Sequence, residues 1–151
     1  MSRRLPAVLL ASLCTLVALI YSPGLGGPFV FDDYPNIVDN SLVSIDSLHP
    51  AELRDAAFSL VNRSYPHRGL ARLTFALNYY FAGQSFDAFA FKATNLVIHL
   101  VNGVLVYVLS VLLLRRFAGG ARPPSAEAGY SAMQTYLPLL VAALWLLHPI
   151  Q

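Results

Sequence analysis

Cysteine and charge are the two things this sequence is short of. Cys14 is the only cysteine among 151 residues, so no disulfide can form within the chain. It lies in an apolar run, where a small buried residue is the expected role, and cysteine usage therefore says nothing about the compartment. Only 12% of residues are charged, against about 25% in an average soluble domain. Hydrophobic residues make up 56% and mean hydropathy is +0.57. Together these favour a membrane protein, with the lipid bilayer as first partner. A net charge of +2 is too small for a nucleic-acid footprint, and no nucleic-acid partner is expected. The chain also lacks internal repeats, charge blocks and the oxygen-ligand spacing of a calcium loop, so neither a metal site nor a cofactor is expected.

Long apolar runs, by contrast, are plentiful. The first, Leu5 to Tyr21, follows Arg3 and Arg4 and sits at the short end of the roughly 17–25 residues that cross a bilayer. A cleaved signal peptide would share its basic start and apolar centre. The stretch Ala18-Leu19-Ile20-Tyr21-Ser22 offers no pair of small residues for cleavage, which favours an uncleaved anchor over residues 1–21. The second run, Ala93 to Leu114, holds no formal charge and ends at Arg115-Arg116, a length suited to a tilted helix. The third, Tyr136 to Leu147, is short and opens a segment, residues 136–151, expected to be a truncated span. Pro138 near its start suits a first helical turn.

Arg3, Arg4, Arg115, Arg116 and Arg122 flank these runs on one side, which the positive-inside rule makes cytoplasmic. The intervening loop, residues 22–92, exceeds the length of about 60 residues over which that rule counts strongly. It carries Asp32, Asp33, Asp39, Asp46, Glu52, Asp55 and Asp87, all but one of the acids in the chain. The expected architecture is an all-α membrane protein. It has a cytoplasmic N-terminus, three transmembrane helices, a long extracytoplasmic loop containing short helices, and a cytoplasmic linker at residues 115–135. Gly119-Gly120 and Pro123-Pro124 mark that linker as a connector.

Chemistry would sit in the long loop. Ser22 to Pro28, rich in Gly and Pro, reads as a turn leaving the membrane. Asp32-Asp33-Tyr34 follows the apolar Phe29-Val30-Phe31. Adjacent carboxylates raise each other's proton affinity when desolvated. The pair is either a solvated pair or helix cap, or a general base for a hydroxyl. Ser47 to Val61 and Gly69 to Phe81 are helix candidates, the first capped by Ser47 and the second ended by Gly83. Arg68 and Arg72, one turn apart, suit either lipid head groups at the interface or phosphate recognition by guanidinium forks. Asn62-Arg63-Ser64 matches the N-glycosylation acceptor pattern. In the second run, Asn95, His99 and Asn102 fall on one helix face. Polar side chains in a span face protein or a wet cavity, so the stripe implies interhelical hydrogen bonds or a ligand contact, and more than three helices.

Four stretches in order carry a resemblance. They are Phe31-Asp32-Asp33-Tyr34-Pro35-Asn36-Ile37, then Arg68-Gly69-Leu70-Ala71-Arg72-Leu73-Thr74-Phe75-Ala76-Leu77-Asn78-Tyr79, then Thr94-Asn95-Leu96-Val97-Ile98-His99-Leu100-Val101-Asn102, and last Leu146-Leu147-His148-Pro149-Ile150-Gln151. This order resembles the amino-terminal part of the C-type (GT-C) polytopic membrane glycosyltransferases. The likeness is closest to the branch that joins a multi-span region to tetratricopeptide repeats, including the transmembrane O-mannosyltransferases and their bacterial relatives. The resemblance implies a polyprenyl-phosphate sugar donor and an acceptor hydroxyl of unstated identity. By it, Asp32 and Asp33 match the acidic base of the first outer loop, with Asp33 preferred; Arg68 or Arg72, read above as phosphate-binding, would then hold the lipid phosphate of the donor. It also implies a multi-pass protein of the bacterial inner membrane and, since the family continues into more spans and repeats, a fragment of a larger fold. Gly69 stands where the family usually has proline, and Lys92 or a neighbour where it often has histidine. The rival expectations are a non-catalytic membrane assembly or scaffold protein, in which the acids are dispensable, and an inactive truncated fragment.

Overall fold

The structure is a computed structural model that describes residues 4–58, 68–117 and 127–148, with only the backbone described for 127–131. Asn62-Arg63-Ser64, Gly119-Gly120, Pro123-Pro124, Arg3 and Arg122 lie outside the described residues. All regular structure among those described is helical: α1 Leu5–Tyr21, α2 Pro50–Ala57, α3 Gly69–Phe81, α4 Ala88–Phe117 and α5 Glu127–Leu147. The chain divides into two compact units, one formed by Met1–Pro23 with Leu96–Gln151 and the other by Gly24–Asn95.

Among the described residues two helices are long and apolar enough to cross a bilayer. One is α1 with its 3-10 continuation, Leu5–Gly26, 22 residues whose most apolar 18-residue stretch has mean hydropathy 2.1, and the other is α4, 30 residues with a corresponding stretch at 2.4. Only 6% of each apolar window is buried within the chain, far less than the core helix of a soluble domain would show. The apolar part of α5, Ala132–Leu147, is shorter.

In the first unit, α1 packs along α5. Val17, Pro138, Ala142 and Leu146 are fully buried there. Pro6 occupies the first turn of α1, where its missing N–H removes no helical hydrogen bond. On α4 the buried Gly103 faces Leu146: a Cβ added to it would lie 2.6 and 2.8 Å from the leucine Cγ and Cδ1. Two expectations change here. The expected third run, Tyr136 to Leu147, is the end of a helix that begins at Glu127, so Pro138 lies inside that helix and not in its first turn. The second run also extends beyond Ala93 to Leu114 at both ends. The Asp87 carboxylate accepts the Phe89 N–H at 3.0 Å, a side-chain cap that satisfies an otherwise orphaned donor.

In the second unit the core is aromatic. Ile37, Val43 and Phe91 are buried, with Phe29, Phe75, Tyr79 and Phe86 packed around them. Phe29 meets Phe91 edge-on, centroids 5.6 Å apart, a favoured geometry for ring quadrupoles. A second cluster joins Ile45, Ala56 and Ala76 under Leu53 and Tyr80, tying α2 to α3. α3 has the expected bounds, and Gly83, at φ +75°, follows its end, a conformation glycine adopts without steric cost. α2 is shorter than the expected Ser47 to Val61. Its N-cap is His49, whose Nδ1 accepts from Ala51 N. The Ser47 hydroxyl instead donates to Glu52 Oε1 at 2.7 Å. Glu52 Oε2 accepts the Ser47 and Asp46 N–H groups. The Ser47 hydroxyl and amide, with smaller help from Asp46 and His49, hold the Glu52 carboxyl below the usual glutamate range against a small opposing effect of burial.

Candidate functional site

The candidate site forms on the second unit, where a short irregular segment meets α3. Before it, the Lys92 ammonium donates to the Gly27 and Pro28 carbonyls at 2.8 and 2.9 Å. These charge-assisted bonds tie the Gly-Pro segment to the start of α4. Phe29 then enters the aromatic core, while Phe31 turns out, almost wholly exposed, at φ +44°. A bulky side chain in the left-handed region is strained by about 1–2 kcal/mol. The reversal is closed by a reciprocal pair: Asp33 N–H donates to the Val30 carbonyl at 3.0 Å, and Val30 N–H donates to Asp33 Oδ2 at 2.9 Å. A single π-helical turn, Tyr34–Val38, follows. Asn36 binds back through Nδ2 to the Asp32 carbonyl at 2.7 Å.

This arrangement separates the two acids. Asp33 is half-buried and has one carboxylate oxygen engaged by the backbone. Asp32 is exposed, and its carboxylate has no hydrogen-bond partner among the described residues. Neither side chain serves as a helix cap.

Across from them, α3 presents Arg68 at its N-cap and Arg72 one turn on. Asp32, Asp33, Asn36 and Ile37 from the turn, with Arg68, Ala71, Arg72 and Phe75 from α3, line one cavity of about 200 Å³. The four charged residues singled out in the sequence therefore share a single hollow, floored by Ile37 and Phe75, both part of the aromatic core. A hollow lined by two aspartates and two arginines brings together groups that can accept a proton and groups that can hold an anion. Gly69, between the arginines, lies close to α2: a Cβ there would sit 3.2 Å from the Ala57 carbonyl oxygen.

Asn95, His99 and Asn102 are not brought to one partner. His99 Nε2 lies 3.0 Å from the Leu146 carbonyl oxygen, and its ring stacks at a tilt on Tyr21, centroids 5.7 Å apart. That carbonyl is in the last turn of α5, where no intrahelical donor remains. Asn95 and Asn102 are exposed. Sequence reasoning assigned Asn36 and Lys92 no part in holding the turn. Asn36 was discoverable as the residue four after Asp32, where a helical turn brings its amide back to the Asp32 carbonyl. Lys92 was discoverable as a lone cation at the start of an apolar helix, which requires an oxygen partner. Among the described residues no group of His, Cys, Asp and Glu is arranged to hold a metal ion.

No family model, curated protein or solved structure matches the chain.

Proposed function

We propose that the chain is a membrane glycosyltransferase of the GT-C type, or a portion of one, anchored by α1 and α4 with α5 as a third span. In this reading the N-terminus is cytoplasmic and residues 22–92 lie on the opposite side, at the bacterial inner membrane. The observation that carries the proposal is the shared cavity of Asp32, Asp33, Arg68 and Arg72. A sugar transfer from a polyprenyl-phosphate donor needs both of its signs. One carboxylate takes the proton from an acceptor hydroxyl while that oxygen forms a bond to the anomeric carbon. The bond from that carbon to the phosphate oxygen breaks, and the polyprenyl phosphate leaves with the electron pair. Arg68 and Arg72 neutralise the charge that develops on it. The Val30 hydrogen bond to Asp33 favours Asp32 as proton acceptor and gives Asp33 the task of shaping the turn. The resemblance of the four ordered stretches supports the same reading.

The test is consumption of a radiolabelled polyprenyl-phosphate sugar by membranes containing the full chain, with Asp32→Asn and Asp33→Asn alongside. Loss of a general base typically lowers turnover by about 10²–10⁴-fold, and Asp32→Asn is expected to show it while remaining membrane-inserted. If both variants match an active parent, the proposed base is wrong. An inactive parent would favour the scaffold or incomplete-enzyme reading.

A further inference from the structure

We propose that a hollow at one end of the first unit binds the phosphate headgroup of an anionic membrane lipid, with Arg115 as its charged ligand. The inference rests on the reading of α1 and α4 as spans with a cytoplasmic N-terminus. Pro6 in the first turn of α1, Tyr107 and Arg115 on α4, and Gln134 and Thr135 on α5 line one cavity of about 190 Å³. The start of α1, the end of α4 and the start of the apolar part of α5, Ala132–Leu147, are the three ends that this reading puts at the cytoplasmic face. They meet at a single hollow, at the depth where lipid headgroups lie. Arg115 directly follows the uncharged run that ends at Leu114.

The lining suits a phosphodiester. A guanidinium grips a phosphate through paired N–H donors. The Tyr107 and Thr135 hydroxyls and the Gln134 amide carry neutral donors, and a phosphodiester oxygen only accepts. Val111 and Leu114 complete the wall, an apolar surface that fits the ester region of a lipid better than a hydrated free anion. What names the occupant is charge. Residues 1–21 and 93–151 hold Arg3, Arg4, Arg115, Arg116 and Arg122 against one acid, Glu127. Arg115 is exposed and has no ion-pair partner among the described residues. An anionic leaflet supplies the countercharge, and basic pockets between spans on the cytoplasmic side are where acidic headgroups settle. Headgroups border a span at this level whatever other helices surround it. Arg116, about 100° farther round the helix, does not line the hollow. The two arginines therefore separate a built site from the general attraction of a positive surface to the membrane.

The test is native mass spectrometry of the full chain, extracted from bacterial membranes into mild detergent and titrated with phosphatidylglycerol or phosphatidylcholine of equal acyl chains. The chain is expected to retain phosphatidylglycerol in preference to phosphatidylcholine. Arg115→Gln is expected to weaken that binding about 10- to 100-fold, the range for hydrogen bonds to a charged group. Arg116→Gln should weaken it no more than about 5-fold, the share of diffuse attraction to an anionic surface. Equal retention of the two lipids, or equal losses from the two arginine variants, overturns the site. Displacement of the lipid by excess inorganic phosphate makes it a free-anion site and overturns the lipid assignment. Washing membranes with alkaline carbonate separates this from the underlying reading. A chain released to the soluble fraction overturns the spans themselves, whereas a retained chain without lipid preference overturns only the site.

Discussion

The contact of Gly103 with Leu146 makes a quantitative prediction about the first unit. Leu146 is fully buried, and a Cβ at position 103 would come 2.6 and 2.8 Å from its Cγ and Cδ1, distances that force a shift. Gly103→Ala gains about 1 kcal/mol in helix propensity and loses about 1–3 kcal/mol to overpacking, a net cost of about 0–2 kcal/mol. Leu146→Ala forfeits dispersion contacts. If α5 is the third span of the proposed reading, the hydrophobic part of the usual 2–5 kcal/mol is missing, leaving a cost of about 1–2 kcal/mol. In the double variant the new methyl enters the space the leucine vacates, and the overpacking disappears. The two changes should therefore be non-additive, with a coupling of about 1–3 kcal/mol in favour of the pair. The assay is unfolding by increasing SDS in mixed micelles, followed by ellipticity and by the fluorescence of Trp145, the only tryptophan in the chain and the neighbour of Leu146. Additivity within about 0.5 kcal/mol, or a Gly103→Ala variant more stable than the parent by its full propensity gain, would refute the close approach of these two residues.

Two further outcomes concern the second unit. Lys92→Met keeps the apolar stem but removes the two bonds to Gly27 and Pro28. For a half-buried ammonium their loss amounts to about 2 kcal/mol, so the Val30 and Asp33 amides should exchange hydrogen about 30-fold faster; unchanged exchange would show that the segment is held by Phe29 alone. Glu52 has a folded-state pKa below the ordinary 4.5, so its contribution to stability is complete above that value and is lost as pH falls through the lower folded one. The parent's advantage over Glu52→Gln in denaturant titrations should thus be constant above pH 4.5 and shrink below it; an advantage that grows in acid would contradict the sign.

What the sequence disclosed, it disclosed through periodicity and punctuation. α3 could be read to both ends because its apolar face is continuous and Gly83 supplies the left-handed stop. The ends of α4 and α5 could not, since hydropathy follows apolar residues and not helix. Lys92 ends the uncharged stretch although the backbone stays helical back to Ala88. Glu127 to Thr135 has little apolar character yet forms the first turns of α5. Pro138 looked like a beginning because an interior proline costs a hydrogen bond, and here it is tolerated where its ring is fully buried. Ser47 was a reasonable cap by residue type. Glu52 took its hydroxyl instead, and His49 was left to receive the helix N–H.

The site was legible as a set of residues and not as a place. Asp32 and Asp33 stand far in sequence from Arg68 and Arg72, and nothing in their spacing says that they meet. What brings them to one cavity is the aromatic core: Ile37, just past the acids, and Phe75, just past the arginines, both pack at Phe91 and both line the hollow. The charged residues therefore owe their convergence to apolar neighbours that carry no functional signature of their own. The same argument separates the two acids. The left-handed Phe31 turns its ring outward, and the hydrogen bond from Val30 to Asp33 then commits the second carboxylate to the turn. An adjacent pair that looks interchangeable in sequence is thus divided: both acids line the cavity, but only Asp33 is also bound to the turn's backbone.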